Sequence, residues 1–210
     1  MRNLHWRTME LLLADYAAGT EARSRETLWW KAGGHPFEAA IRRAAFSIRE
    51  DGRRHSHQNR IPGAILQACA KALIEHLPAL ERSPRFYELL TQIETLYQPI
   101  RGAGELLAYD TADRLRHRLG LASEHLIYLH AGTRVGARRL LGGRLPRGDA
   151  WALMRHQIPE PLRILDNHEL EDFLCVYKDE LMMPPEALDA RWGQRLAGAC
   201  GPAEREPARC

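Results

Sequence analysis

The chain has 210 residues, of which 45% are hydrophobic and 27% are charged, and its formal net charge is +3. This length allows one domain of full size with a substantial apolar core. The longest apolar runs, such as residues 11–14, are far too short to span a membrane. The first ten residues carry charged side chains and do not resemble a signal peptide. We therefore expect a cytoplasmic protein that does not bind membranes.

The four cysteines lie far apart in the sequence, at Cys69, Cys175, Cys200 and Cys210. They include no Cys-x-x-Cys pair and do not form the dense pattern of a disulfide-rich domain. This spacing favours free thiols in a reducing compartment, in agreement with a cytoplasmic protein. We predict no metal ion and no cofactor.

Charge is distributed unevenly along the chain. Residues 41–60 hold six arginines against two acids, and residues 101–147 hold nine arginines against four acids. Residues 160–189 instead hold nine acids against two basic residues. A basic middle indicates an anionic partner, and the acidic region 160–189 is a candidate surface for a protein partner. Runs of charge are also typical of solvated helix faces, so this pattern supports a function without defining it.

Apolar residues recur at helical spacing in most of the chain, whereas strand-like alternation is limited to residues 126–129. Four stripes are clearest: Trp6, Met9, Leu13 and Tyr16; Leu66, Cys69, Leu73 and Leu77; Phe86, Leu89, Leu90, Ile93, Leu96 and Tyr97; and Leu170, Phe173, Leu174, Tyr177 and Leu181. We predict an all-α fold of about eight to ten helices. One helical domain is expected over residues 1–197, followed by a disordered tail over residues 198–210, where the periodicity is lost.

Two helix starts have recognisable signals. Ser83 and Pro84 are predicted to be the N-cap and first-turn proline of the third helical stripe. Asp166 and Glu169 have the spacing of a capping box and predict the start of the fourth.

The most informative stretch predicts two helices joined by a tight turn within residues 86–119. The third stripe ends at Pro99, a Gly-x-Gly turn follows at Gly102 and Gly104, and a second helix covers residues 106–119. Glycine permits positive φ and a close approach to a partner, and we expect both properties at this turn. The N-terminus of the second helix would offer unpaired N–H groups and a positive dipole end to a phosphate. An ordinary glycine-rich turn between helices is the alternative.

This stretch resembles the helix-hairpin-helix DNA-binding motif, whose consensus is apolar-x-Gly-apolar-Gly-x-x-x-Ala. Its five positions are filled in order by Ile100, Gly102, Ala103, Gly104 and Ala108. The all-α character and the central position of the hairpin are similar to the helix-hairpin-helix DNA glycosylase superfamily. The resemblance implies an all-α domain built around the hairpin, and it implies contact with the DNA phosphate backbone.

The chain departs from that superfamily at the positions that carry its chemistry. His130 stands nearest the place of the family's catalytic aspartate, and Arg134 has a counterpart shortly after that place. Ala108 occupies the position of the lysine nucleophile found in some members. Asp110 is the best replacement carboxylate, either orienting His130 or activating water, although an acid near a helix N-terminus also has a structural explanation. We predict DNA binding with weak or absent base excision.

The candidate residues thus divide into two groups. The catalytic candidates, if the protein is a DNA N-glycosylase-like hydrolase, are Asp110 and His130. The DNA-binding candidates are Arg101, Gly102, Ala103, Gly104, Arg134, Arg138, His57 and Arg60. His57 and Arg60 belong to a polar basic stretch at residues 53–60, for which a solvated loop is the alternative. For the whole chain, the alternative is a non-catalytic helical module for protein–protein interaction or oligomerisation.

Overall fold

A computed structural model of the chain describes residues 6–122, 126–143, 145 and 152–198. These residues contain ten α-helices and one two-stranded sheet, so the predicted all-α class is confirmed. The helices are α1 Trp6–Ala18, α2 Thr20–Lys31, α3 Phe37–Ala45, α4 Gly63–Glu75, α5 Leu77–Glu81, α6 Phe86–Tyr97, α7 Glu105–Leu119, α8 Ala131–Leu140, α9 Asn167–Val176 and α10 Pro185–Gly198. The strands are β1 Leu126–Tyr128 and β2 Ala152–Met154. The predicted tail over residues 198–210 overlaps the last residue of α10 at Gly198, and the rest of it, residues 199–210, is outside the described residues.

The chain divides into two compact units. The central unit is Glu21–Glu124, and the terminal unit combines Met1–Thr20 with His125–Cys210. Each unit has its own set of packed helices, and the predicted single domain stays a prediction.

The central unit is built on four packed helices. α6 lies against α7, α3 packs on α7, and α4 packs on both α3 and α6. The apolar stripes predicted for α4 and α6 provide many of its fully buried side chains, among them Leu66, Leu73, Leu89, Ile93 and Tyr97. Burial of these stripes holds α6 and α7 together as a pair.

The terminal unit is centred on the contact between α8 and α9. These helices approach closely at Gly136, which is buried against the backbone of Leu174. β1 contacts α9 and pairs in antiparallel fashion with β2, with Ile127 opposite Leu153. The predicted strand-like segment is therefore a strand. Its partner β2, which is equally short, was not predicted from the sequence.

The structure confirms one of the two predicted helix starts. At α9, the Asp166 carboxylate accepts from the Glu169 N–H at 2.7 Å, and the Glu169 carboxylate accepts from the Asp166 N–H at 2.8 Å. The prediction at Ser83 and Pro84 is wrong, because the chain stays extended through Arg85 and α6 begins at Phe86. The Ser83 hydroxyl instead accepts a hydrogen bond from the Gln92 side chain at 3.1 Å.

Two further expectations concern the cysteines and the membrane. Cys69 is a free, buried thiol whose pKa burial raises to about 11. Cys175 is disulfide-bonded, so the expectation of free thiols is wrong at this position. Among the described helices, none combines the length and the apolar character needed to cross a membrane.

Candidate nucleic-acid interface

The predicted hairpin is present between α6 and α7. The turn closes through two backbone hydrogen bonds, from Ile100 N–H to the Tyr97 carbonyl at 2.8 Å and from Ala103 N–H to the Ile100 carbonyl at 2.9 Å. The Tyr97 hydroxyl donates to Thr111 Oγ1 at 3.3 Å and links the two helices. Ala108 is buried, as expected for a small residue where two helices approach closely.

The two glycines of the turn have different roles. Gly102 has φ +97°, a conformation that L side chains rarely adopt, so glycine is required there. Gly104 is the N-cap of α7 and is extended, with φ −90° and ψ 171°. The prediction of positive φ is therefore wrong for Gly104. A Cβ at Gly104 would meet nothing within 4 Å, so the absence of a side chain there leaves open space in front of the helix N-terminus.

The tip of the hairpin faces solvent and carries one arginine. Arg101, Gly102 and Gly104 are exposed, and Ala103 is half-buried. Within the described residues no carboxylate pairs with Arg101. Glu105 supplies one negative charge in the first turn of α7. This charge stabilises the helix through its dipole and competes with an external anion for the helix N-terminus.

Asp110 lies in α7 and binds the polar loop that precedes α4. Its Oδ2 atom is 2.8 Å from His57 Nε2 and also accepts a hydrogen bond from the Gln58 side chain. Arg114 Nη2, one helical turn further on, lies 3.7 Å from the same oxygen. Asp110 therefore orients His57 in the central unit, whereas the sequence suggested His130 as its partner.

A second histidine–carboxylate pair lies beside the first. His55 Nε2 is 2.9 Å from Glu26 Oε1, and the rings of His55 and His57 are 5.7 Å apart. Burial acts to raise the pKa of the Glu26 carboxyl, but the hydrogen bond and charge of His55, with the charge of Arg114, hold that pKa below its usual value. Arg114 is itself buried and donates to Ser47 Oγ at 3.0 Å.

Three members of this cluster were not predicted from the sequence: Glu26, Gln58 and Arg114. They come from α2, the loop before α4, and α7, which are far apart in sequence. No local spacing connects them. A buried arginine could have been anticipated only from its position on the buried side of α7, because Arg114 follows Leu107 by seven residues and Thr111 by three.

His130 belongs to the terminal unit, where it is the buried N-cap residue of α8. Its Nε2 contacts Glu171 Oε1, and the Thr133 hydroxyl donates to that carboxylate oxygen at 2.8 Å. This arrangement ties α8 to α9 and gives His130 a structural role; its catalytic role stays a prediction. On the same helix, Arg134 is half-buried and Arg138 is exposed.

The predicted site residues therefore fall into two sets. The hairpin residues, His57, Arg60 and Asp110 lie in the central unit, and His57 and Asp110 are in direct contact. His130, Arg134 and Arg138 lie in the terminal unit. Comparison of the chain with known protein families, curated proteins and solved structures finds no match.

Proposed function

We propose that this chain binds duplex DNA through the hairpin between α6 and α7, with the phosphate backbone as its ligand. The observation that carries the proposal is the tip of that hairpin. A glycine in the left-handed conformation turns the chain, and a second glycine leaves the N-terminus of a 15-residue helix without a side chain in front of it. The first N–H groups of a helix have no partner within the helix and suit an anionic oxygen.

The charges near the tip support a phosphate ligand. Arg101 is exposed next to the turn and can approach the same anion as the helix N-terminus. A guanidinium group binds phosphate through two parallel hydrogen bonds. Such contacts recognise the backbone and not the bases, so we expect little sequence specificity.

The proposal concerns binding and does not include base excision. Asp110 is engaged with His57, Gln58 and Arg114, and His130 is buried against Glu171. These partners give both catalytic candidates structural roles. Weak or absent excision remains the expectation.

Replacing Arg101 with glutamine tests the proposal, because the exposed guanidinium is expected to contact one phosphate. In Arg101→Gln, affinity for a short duplex should fall by about three- to tenfold at low salt. The slope of the logarithm of the association constant, log K, against the logarithm of the salt concentration should become shallower by about one. Fluorescence anisotropy with a labelled duplex measures both quantities.

Arg85→Gln provides a matched control for charge. Arg85 is exposed and precedes α6, at the end opposite the hairpin tip, since α6 extends about 18 Å over its 12 residues. Its replacement should leave DNA affinity almost unchanged. Equal losses in both variants would indicate a general effect of net charge and would contradict a specific contact at the tip.

A further inference from the structure

The loop before α4 is fixed to the hairpin at two points. At one end, His57 and the neighbouring Gln58 contact Asp110 in α7. At the other end, Ile65 in the first turn of α4 lies against the tip, since its Cδ1 atom is 2.5 Å from the place where a Gly102 Cβ would stand. Residues 57–65, here called the tied segment, therefore run alongside the hairpin.

These two points are at different positions along the axis of α7. Asp110 lies six residues beyond Gly104, which corresponds to about 9 Å along the axis of α7. Ile65 lies at the tip itself. The tied segment consequently extends from the second turn of α7 to the place where the proposed phosphate would bind.

Hydrogen bonds within the tied segment and to the residues just before it make this loop compact. Gln58 N–H donates to the His55 carbonyl at 3.1 Å, and Ile61 N–H donates to the Gln58 carbonyl at 3.1 Å. Arg54 folds back and donates to the Ile61 carbonyl at 3.2 Å. A loop held by its own backbone bonds and by two external contacts can present a side chain in a defined place.

Arg60 is the cation that this arrangement presents. It is exposed, and within the described part of the chain no carboxylate pairs with it. It precedes Ile65 by five positions, so its Cα atom lies at most about 18 Å from that of Ile65 by chain length alone.

We propose that the tied segment and the hairpin form one phosphate-binding surface, on which Arg60 contacts the backbone of duplex DNA and Asp110 positions Arg60 through His57. This inference rests on the proposed function of the hairpin and adds a second contact to it. Asp110 is then a positioning residue. His57, which is oriented by Asp110, is part of the support and not a phosphate ligand.

Four substitutions, some of them combined in double-mutant cycles, test this inference, with salt-dependent duplex binding as the readout. Arg60→Gln should lower affinity by about three- to tenfold and reduce the salt slope by about one, as expected for one lost phosphate contact. His57→Ala should produce a similar loss, because the support of Arg60 is removed. The combination of the two should be no worse than either alone, since both remove the same contact.

Arg101→Gln provides the second arm of the cycle. In the double variant of Arg101→Gln and His57→Ala, the fold loss in duplex affinity should equal the product of the two separate fold losses. The reason is that the tip contact does not depend on the support of the tied segment. His57→Gln should restore most of the affinity, since a glutamine amide can donate to Asp110 in place of the imidazole Nε2. If His57 contributed to stability alone, its replacement would change the unfolding midpoint. It would not change the salt slope or the non-additivity between His57→Ala and Arg60→Gln.

The outcomes separate the two proposals. Arg60→Gln with wild-type affinity, beside an Arg101→Gln variant that binds weakly, would overturn the tied-segment surface and leave the hairpin proposal in place. The tied-segment surface would also be overturned if the fold losses in affinity of His57→Ala and Arg60→Gln multiplied in the double variant. Such a result would make His57 an independent contact. Wild-type binding by Arg101→Gln would contradict the hairpin proposal itself. Arg60 is exposed, so its variant is expected to fold and the test does not depend on His57→Ala folding.

Discussion

Replacing Gly136 with alanine is expected to destabilise the protein by about 3 kcal/mol or more, the upper end of the cost of overpacking a core. A Cβ at this position would stand 2.0 Å from the Leu174 carbonyl oxygen and 2.8 Å from its carbon. These are backbone atoms of α9 and cannot rotate aside as a side chain would. The two helices would have to separate. An alanine in a helix normally stabilises relative to glycine by up to about 1 kcal/mol, so the clash reverses the usual sign.

Urea unfolding followed by circular dichroism measures this change. Val135→Ala is the matched control, because Val135 is the neighbouring residue of α8 and is 36% exposed. Its unfolding free energy should lie within about 0.5 kcal/mol of the wild type. A Gly136→Ala variant as stable as the wild type would show that α8 and α9 are not packed as described.

Replacing Gly104 with valine is expected to weaken duplex binding by about 10- to 100-fold, the equivalent of losing one or two hydrogen bonds to a charged group. The side chain would fill the open space in front of the first N–H groups of α7. Folding should be affected much less. The φ of −90° suits any L residue, and the exchange of glycine for valine at an N-cap costs roughly 1 kcal/mol.

Gly34→Val is the matched control for this variant. Gly34 is exposed, and a Cβ there also meets nothing within 4 Å. The neighbouring Gly33 lies near Arg118, close to the end of α7 opposite the hairpin tip. Gly34→Val should bind duplex DNA as the wild type does. Unchanged affinity in a folded Gly104→Val protein would mean that the hairpin has a purely structural role.

Features determined by neighbouring residues were predictable from the sequence. The capping box at Asp166 and Glu169 depends on a spacing of three residues, and it formed as predicted. The hairpin between α6 and α7 is equally local, since a periodic helix, a Gly-x-Gly turn and a second helix follow one another directly. Positive φ at Gly104 was not correctly predicted, because the motif does not show which glycine makes the turn and which caps the helix.

Features determined by tertiary contacts were not predictable in this way. The partners of Asp110 come from a loop more than fifty residues earlier in the chain, and without contacts the nearest candidate was His130. The α6 start was predicted at Ser83 and Pro84 from local preferences. The extended backbone at Arg85 and the bond between Ser83 and the Gln92 side chain prevail over those preferences.

The salt dependence of duplex affinity tests the central claim most directly. If the hairpin binds phosphates, the dissociation constant should lie between about 10⁻⁶ and 10⁻⁴ M at physiological salt. It should decrease as the salt concentration is lowered. Between about 50 and 200 mM salt, log K should fall linearly against log salt with a slope of about −2, one phosphate for Arg101 and the helix N-terminus and one for Arg60. Duplex binding that is undetectable at low salt, or that does not change with salt, would contradict the account.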